Sequence, residues 1–489
     1  MKFTKLSLAA MIAMGVASSA FAVDNLKVDG QVKVWYQTTD ISSVAGDPTN
    51  PAPGSTAEQA NNDGIFKKDG ATGDLVAKLR ATGNFNSKIG FGTTLYAVST
   101  MGLENNLVAG EAIGVTSTDF GGRVDGLNAG NQETSALNGS DKLPMWLGEA
   151  YVTYKMGNTI AKIGRQELDT PLAFTETWNA APNTFEAAVL VNNDLPDTTL
   201  VAAYVSRGNG YTNTFTVGGP NVNRATVANG SFYNYITPFA SSTISGVLGS
   251  GDSSTTGDKG GAYALGLVNK SIPGLTIHPV YYNVLDTAMA YWIDLTYAAP
   301  YGIKLEGLYA NLDPVGQTQT VLDSAKASFS NESTDAFAFQ VSGDLAGFKL
   351  AGSYSNVGKG FLPVGNTATG FKKTKIYTAS IFSDGEIAAK PDTEGAKLSV
   401  GYDIAGFKLG ASYAWYEVGK NDGKKDWFDT RRAAEYKPTE LDLSVMTKVD
   451  QVNLAAYYIN QNEYRPVSTT AGTEFRDRQA VRVVASIDF

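Results

Sequence analysis

The chain has 489 residues, with 39 basic against 48 acidic side chains and a formal charge of −9. It contains no cysteine and one histidine, His278, which excludes disulfides, thiolate metal sites and multi-histidine metal sites. The acidic balance argues against nucleic acid as a partner.

Lys2 and Lys5 precede an apolar stretch, Leu6 to Val16, and a small-x-small tripeptide, Ala20-Phe21-Ala22. This pattern predicts a cleaved signal peptide over residues 1–22, and the stretch is short of the roughly 20 residues of a spanning helix. Without Lys2 and Lys5 the chain from Val23 carries 37 basic and 48 acidic residues, a formal charge of −11. Such a surplus would enrich cations at a pore mouth, or simply keep loops soluble. After residue 22 no apolar run approaches helical spanning length, so the pattern is not that of a helical membrane protein. Mean hydropathy near zero fits a soluble enzyme and a membrane barrel alike. The alternation of side chains has to decide.

Residues 27–38 alternate Val28, Val32, Val34 and Tyr36 with Asp29, Gln31, Lys33 and Gln37. In 74–85, Leu75, Ala77, Leu79, Ala81 and Phe85 alternate with Asp74, Lys78, Arg80, Thr82 and Asn84. The same two-residue period predicts further strands near 88–99, 147–157, 159–166, 184–192, 197–206, 260–270, 274–283, 289–299, 301–311, 334–344, 346–356, 395–404, 406–417, 439–448, 450–461 and 478–489. That makes about eighteen, an even number, as a bacterial single-chain barrel requires. The connections alternate between tight turns, as at Asn86-Ser87, Gly157-Asn158 and Ala299-Pro300, and long loops near 39–72, 100–146, 167–183, 207–259, 312–333, 357–394, 418–438 and 462–477; segment 284–288 is the one short member of the second set. Short periplasmic turns and long extracellular loops are the asymmetry of outer-membrane barrels. Gly343-Asp-Leu-Ala-Gly-Phe-Lys-Leu350 echoes Tyr402-Asp-Ile-Ala-Gly-Phe-Lys-Leu409, a repeated hairpin rather than a duplicated domain. In the last stretch Val481, Val483, Ala485, Ile487 and Phe489 share one face and Arg482, Ser486 and Asp488 the other, placing a terminal aromatic in the interfacial girdle. The fold class is all-β: a transmembrane antiparallel β-barrel over residues 23–489, with no plug before its first strand.

A barrel of this size encloses water and needs a loop to narrow it. The candidate is 167–183, within Gly164-Arg-Gln-Glu-Leu-Asp-Thr-Pro-Leu-Ala-Phe-Thr-Glu-Thr-Trp-Asn-Ala-Ala-Pro-Asn-Thr-Phe-Glu186. Pro171 and Pro182 stiffen it, Glu167, Asp169 and Glu176 supply charge, and Phe174 and Trp178 can pack on the wall. The Gly-Arg-Gln…Thr-Pro…Pro-Asn-x-Phe-Glu pattern resembles the inward-folding loop of Opr-type porins, and the overall plan is similar to the major outer-membrane porins of campylobacter-type bacteria. The resemblance implies a passive channel for small polar solutes, commonly a homotrimer, in contact with outer-membrane lipid and lipopolysaccharide. The family's loop often carries an acidic-x-Arg pair before the proline. Glu176-Thr177-Trp178-Asn179 has no arginine, so an inherited substrate preference does not follow.

The inward register sets Lys78, Arg80, Lys155, Lys162, Lys304, Lys349, Lys408 and Arg482 against Asp74, Glu149, Glu186, Asp294, Glu306 and Asp442. Opposed rows give a transverse field across a pore, although most such charges merely pair on a wet wall. The expected selectivity set is Lys78, Arg80, Lys162, Arg165, Glu167, Asp169, Glu176 and Glu186, with Arg165 on the register of Ile163 if alternation is strict. The function expected is an outer-membrane porin for ions and small hydrophilic solutes, weakly cation-preferring; the alternatives are a specific channel for small charged metabolites, or an adhesin or structural barrel. No catalytic residue is expected, because a triad built on His278 would lie at the lipid rim. No cofactor is expected beyond a calcium ion at Asp422, Asp426 and Asp429, whose spacing matches no standard calcium loop. Arg431-Arg432 could reach over the pore mouth. The loops 100–146, 207–259 and 357–394, rich in Gly, Ser, Thr and Asn, have the composition of exposed surface.

Overall fold

The computed structural model describes residues 23–42, 65–66, 71–99, 145–178, 180–209, 261–285, 287–367, 371, 373–427, 434–469 and 472–489. The expected signal peptide, most of the connections at 39–72, 100–146 and 207–259, and Asp429, Arg431 and Arg432 lie outside them.

The described residues form eighteen strands in one sheet. The first nine are β1 (Asp24–Ile41), β2 (Ala71–Asn84), β3 (Ile89–Ser99), β4 (Met145–Met156), β5 (Thr159–Gln166), β6 (Thr184–Asn192), β7 (Thr198–Asn209), β8 (Ala262–Asn269) and β9 (Leu275–Val284). The second nine are β10 (Ala288–Ala298), β11 (Lys304–Pro314), β12 (Thr334–Leu345), β13 (Phe348–Val357), β14 (Thr393–Ile404), β15 (Phe407–Val418), β16 (Thr439–Val449), β17 (Val452–Thr469) and β18 (Gly472–Asp488). Each pairs with its neighbours in sequence, and β18 returns antiparallel to β1 from Gln31↔Asp488 to Ile41↔Arg478. Closure removes the open edge that hydrocarbon would not tolerate. Two connections differ from expectation. The segment 462–477 is largely a continued hairpin, with pairs from Arg465↔Arg476 to Thr469↔Gly472. The connection after β11 contains one helix, α1 (Gly316–Ser324).

The sequence echo has a backbone cause. Ala346 and Gly347 have φ of 54° and 84°, and Ala405 and Gly406 have 50° and 83°. Two successive positive φ values match the twist of a tight hairpin and suit glycine at the second position. The paired hairpins also meet side by side: Lys349 Nζ donates to Asp403 Oδ2 at 2.7 Å, and the Phe348 and Tyr402 rings stack at 4.7 Å.

One face of the wall is apolar and exposed, as at Val32, Phe339, Leu398, Leu409, Val483 and Ile487. At the seam between β1 and β18 the Phe489 ring lies over Gly30, where an added Cβ would stand 2.5 Å from two ring carbons and 2.9 Å from the Lys78 carbonyl oxygen. The opposite face is not uniformly polar. On β9 to β12 the inward register carries Tyr282, Trp292, Leu308, Ala310 and Ala336, all buried. These residues pack with Leu172 and Phe185, and with Phe361, Val364, Phe371 and Trp427 from other connections, into one apolar cluster inside the barrel. The buried core of this molecule is therefore in its lumen, and it positions the site.

Candidate constriction site

Gln166 ends β5 with its amide turned onto the neighbouring strand, Nε2 donating to the Ala187 carbonyl at 2.9 Å. The chain then leaves the wall in a small hairpin. Thr175 N donates to Leu168 O at 2.8 Å and Thr170 N to Ala173 O at 3.2 Å, with Pro171 in the turn, where a fixed φ is favoured. Leu168, Leu172 and Phe174 are buried, and Leu172 N donates to the Tyr282 hydroxyl at 3.3 Å, which fastens the hairpin to β9. Further along, Trp35 Nε1 donates to the Trp178 carbonyl at 3.2 Å, and the Trp178 ring meets Tyr457 edge-on at 5.7 Å. The described part of the segment that leaves β5 thus touches β9, β1 and β17 from inside the barrel.

The connection 358–392, expected as exposed surface, also folds inward. Asn366 locks it to the first loop: Phe174 N donates to Asn366 Oδ1 at 3.1 Å, while Asn366 Nδ2 donates to Phe174 O at 2.8 Å and to Glu176 Oε1 at 3.0 Å. Thr367 N donates to Leu172 O at 3.0 Å, and Lys375 Nζ pairs with Asp169 at 2.5 Å. Its far end is held to the wall by carboxylates of β16. Glu440 accepts from Phe382 N at 2.7 Å, Ser383 N at 2.6 Å, Ser383 Oγ at 2.5 Å and Gln461 Nε2 at 3.2 Å. Asp442 accepts from Ile381 N at 3.3 Å. Within this loop, burial raises the Asp384 carboxyl above the ordinary range and Lys373, 3.3 Å away, opposes that rise.

The two loops meet at Arg482. Its Nε and Nη2 donate to Gln37 Oε1 at 3.0 and 2.8 Å, and its guanidinium stands 4.7 Å from the Trp35 ring, 5.8 Å from Trp178 and 6.0 Å from Phe382.

The structure brings together part of the expected selectivity set. Arg80, Lys78 and Lys162 share the lumen face. Arg80 Nε lies 3.7 Å from Glu149, and its Nη2 donates to the Tyr151 hydroxyl at 3.5 Å. Lys162 Nζ lies 3.9 Å above the Tyr151 ring and Lys78 Nζ 5.9 Å from the Tyr96 ring. Glu167 is exposed and within electrostatic reach of Lys162 and Tyr96. The Asp169 side chain is 88% exposed, whereas Glu176 is buried and spent on Asn366. Arg165 and Glu186 are cross-strand partners on the register of Ile163 and Ala188, not of Lys162. Arg165 Nη2 lies 3.1 Å from Glu186 and its Nη1 donates to Leu147 O at 2.7 Å. Glu186 therefore leaves the inward row expected for it: β6 alternates without a break, with Phe185 and Ala187 buried inward, which puts Glu186 on the face of Ala188 and Leu190.

His278 is a second correction. Register puts it opposite Asp294 on the lumen face, with Nδ1 3.0 Å from Asp294 Oδ2, which also accepts from Trp292 Nε1 at 2.9 Å. It is not at the lipid rim. Asp422 pairs with Lys359 and Asp426 is buried; among the described residues no group of three or more acidic, His or Cys side chains is arranged to hold a metal ion. Sequence reasoning passed over the Glu440–Gln461 anchor, Asn366 and the whole second inward loop. The available signal was the run of apolar residues at inward positions of β9 to β12, which a wet wall would not carry.

Among the described residues the apolar cluster lines β6–β13 and residues 376–390 line β14–β17, while the lumen face of β1–β5 carries the buried side chains Trp35, Asp74, Val76, Tyr96 and Glu149. Lys33, Lys78, Arg80 and Lys162 stand along it, none fully buried. A closed antiparallel barrel with a polar passage inside and an exposed apolar belt outside is the architecture of outer-membrane channels. Comparison with solved structures agrees on the fold. The chain is similar to Pseudomonas aeruginosa OccK8 (OprE), with 15% identity over 96% of this chain and 99% of that one and a TM-score of 0.59. It is similar also to OccD3 (OpdP) of the same organism, at 13% identity, 96% and 92% coverage and TM-score 0.58, and to OccK3 (OpdO), at 14%, 95% and 96%, and 0.57. No family model and no curated protein matches the sequence.

Proposed function

We propose that the protein is a passive outer-membrane channel for small hydrophilic solutes, of the kind the Opr-type resemblance implies, with a preference for small charged metabolites set at the constriction. One observation supports the reading: two inward loops, tied together through Asn366 and through Lys375–Asp169, line the described wall from β6 to β17, and a row of four cations stands on the lumen face of β1–β5. The overall acidic charge favours cations at the mouth, but selectivity is set by the field where the passage is narrow and poorly screened. There Lys33, Lys78, Arg80 and Lys162 stand on one wall with Glu167 near Lys162, while Asp169 is already paired with Lys375, and this cationic wall supports entry of small anions and zwitterions over simple cations. No catalytic step is part of the proposal. Assembly as a homotrimer, implied by the resemblance, is part of the proposal and is read by native mass spectrometry in detergent.

The test is reconstitution in planar bilayers under a salt gradient. Stable current steps with an anion-directed reversal potential are expected, and the combined Lys78→Gln, Arg80→Gln, Lys162→Gln variant moves that potential toward cations. Neutralising Glu167 and Asp169 moves it the other way. A cation-directed potential untouched by the three wall substitutions overturns the charge assignment, and absence of current supports the adhesin or structural-barrel reading instead.

A further inference from the structure

Tyr151, on the lumen face of β4, is opposed by glycine on both sides: its cross-strand partners are Gly92 of β3 and Gly164 of β5. A Cβ on Gly92 would stand 2.3 Å from the Cζ and the hydroxyl oxygen of Tyr151, so the ring lies over that glycine. Covering a strand glycine is a task that any aromatic can perform. The contacts of this ring are more particular. Arg80 reaches from β2 across β3, where Gly92 offers no side chain, and its Nη2 donates to the Tyr151 hydroxyl at 3.5 Å. From the other side comes Lys162, one register step from Gly164 on β5 and therefore a diagonal neighbour within reach of a long side chain. Its Nζ stands 3.9 Å from the centre of the Tyr151 ring. Cations from β2 and β5 thus converge on one half-buried tyrosine of β4.

Both cations have carboxylates close by. Arg80 Nε lies 3.7 Å from Glu149 Oε2, which also accepts from Thr94 Oγ1 at 2.7 Å. Glu149 and Glu167 act electrostatically on Lys162. A lysine ammonium on its four-carbon stem can swing onto such a partner, and an ion pair formed there would cancel its field in the lumen. An aromatic face attracts the ammonium through its quadrupole without supplying a counter-charge, so a lysine parked on the ring keeps its full charge. The corresponding contact of Lys78 is looser, 5.9 Å from the ring of Tyr96.

We propose that Tyr151 is the positioning residue of the cationic wall: it gathers Arg80 and Lys162 at one ring and keeps the lysine from closing onto Glu149 or Glu167. The inference rests on the channel reading above, and a double-substitution cycle separates the two.

The full chain is reconstituted in planar bilayers under a potassium chloride gradient, and the reversal potential is read for each variant that migrates as a compact barrel in heat-modifiability gels. Lys162→Gln lowers the anion-over-cation permeability ratio. Tyr151→Leu removes no charge, yet is expected to lower that ratio about two- to fivefold, the range an exposed cation–π contact can hold. In the Lys162→Gln background it has a much smaller effect, confined to the Arg80 contact. Tyr151→Phe keeps the ring face and retains most of the preference. Gly92→Ala, which pushes the ring aside and leaves the hydroxyl in place, behaves as Tyr151→Leu does. A wild-type potential in both Tyr151→Leu and Gly92→Ala overturns the proposal, as does a loss of the same size with and without Lys162. A Tyr151→Phe variant as poor as Tyr151→Leu overturns the role of the ring face. If Lys162→Gln itself leaves the potential unmoved, the charge assignment of the channel reading fails, and the role of Tyr151 with it.

Discussion

Arg482 does more than contribute one positive charge to a lumen wall. Its planar fork places two hydrogen bonds on one oxygen of Gln37 while its face lies against Trp35, a combination that a lysine ammonium cannot reproduce. Because Trp178 and Phe382 flank the same guanidinium, the position of both loops depends on it. Arg482→Lys keeps the charge and loses the fork. It is expected to cost about 1.5–3 kcal/mol, the range for hydrogen bonds to charged groups, seen as a lower thermal midpoint in detergent together with noisier single-channel current. A variant with unchanged noise would confine Arg482 to a purely electrostatic role.

The second inward loop is held as an element, by three successive backbone amides at residues 381–383 donating to Glu440 and Asp442. Glu440 is fully buried, so truncating it strands the amides of Phe382 and Ser383 without water. Each stranded donor costs about 1–3 kcal/mol, comparable to the stability of one locally opening unit. Glu440→Ala is therefore expected to release residues 376–390 from the wall and raise single-channel conductance, with hydrogen exchange at 381–383 speeding up while the strands keep their protection. The exposed Lys375–Asp169 pair is a weaker tie, since exposed ion pairs contribute about 0–1 kcal/mol, and the loop-to-loop junction rests mainly on Asn366.

At the scale of the whole molecule, every strand is stabilised by two neighbours, and the register of β1 against β18 completes the ring. That seam is shaped at Gly30, where the Phe489 ring occupies the space a side chain would need. Gly30→Leu forces the ring out and presses on the Lys78 carbonyl. Overpacking of this kind costs about 1–3 kcal/mol. The expected result is a lower temperature for conversion of the compact barrel to the unfolded band in heat-modifiability gels, with no change in reversal potential because the site lies on the outward face.

Fold class, strand number and strand order were legible in the sequence because lipid outside and water inside impose a two-residue period that any stretch of ten residues displays. For the loop 167–183 the sequence offered its prolines and two aromatics, Phe174, which is buried, and Trp178, which stays partly exposed against Tyr457. Three things were not legible. Strict alternation put Arg165 on the register of Ile163, where it lies, but Glu186 was read into the inward row although it shares that register across the strand pair, and His278 was placed at the lipid rim although its register faces Asp294 in the lumen. The inward path of residues 358–392 depends on partners such as Glu440, Gln461 and Tyr416, which are distant in the chain. Local alternation reports the solvent on each side of a strand, so the sequence by itself determined the barrel; which loops fill it is set by contacts between residues far apart in the chain, such as Leu172 with Thr367 and Trp178 with Arg482, and only the tertiary structure decided that.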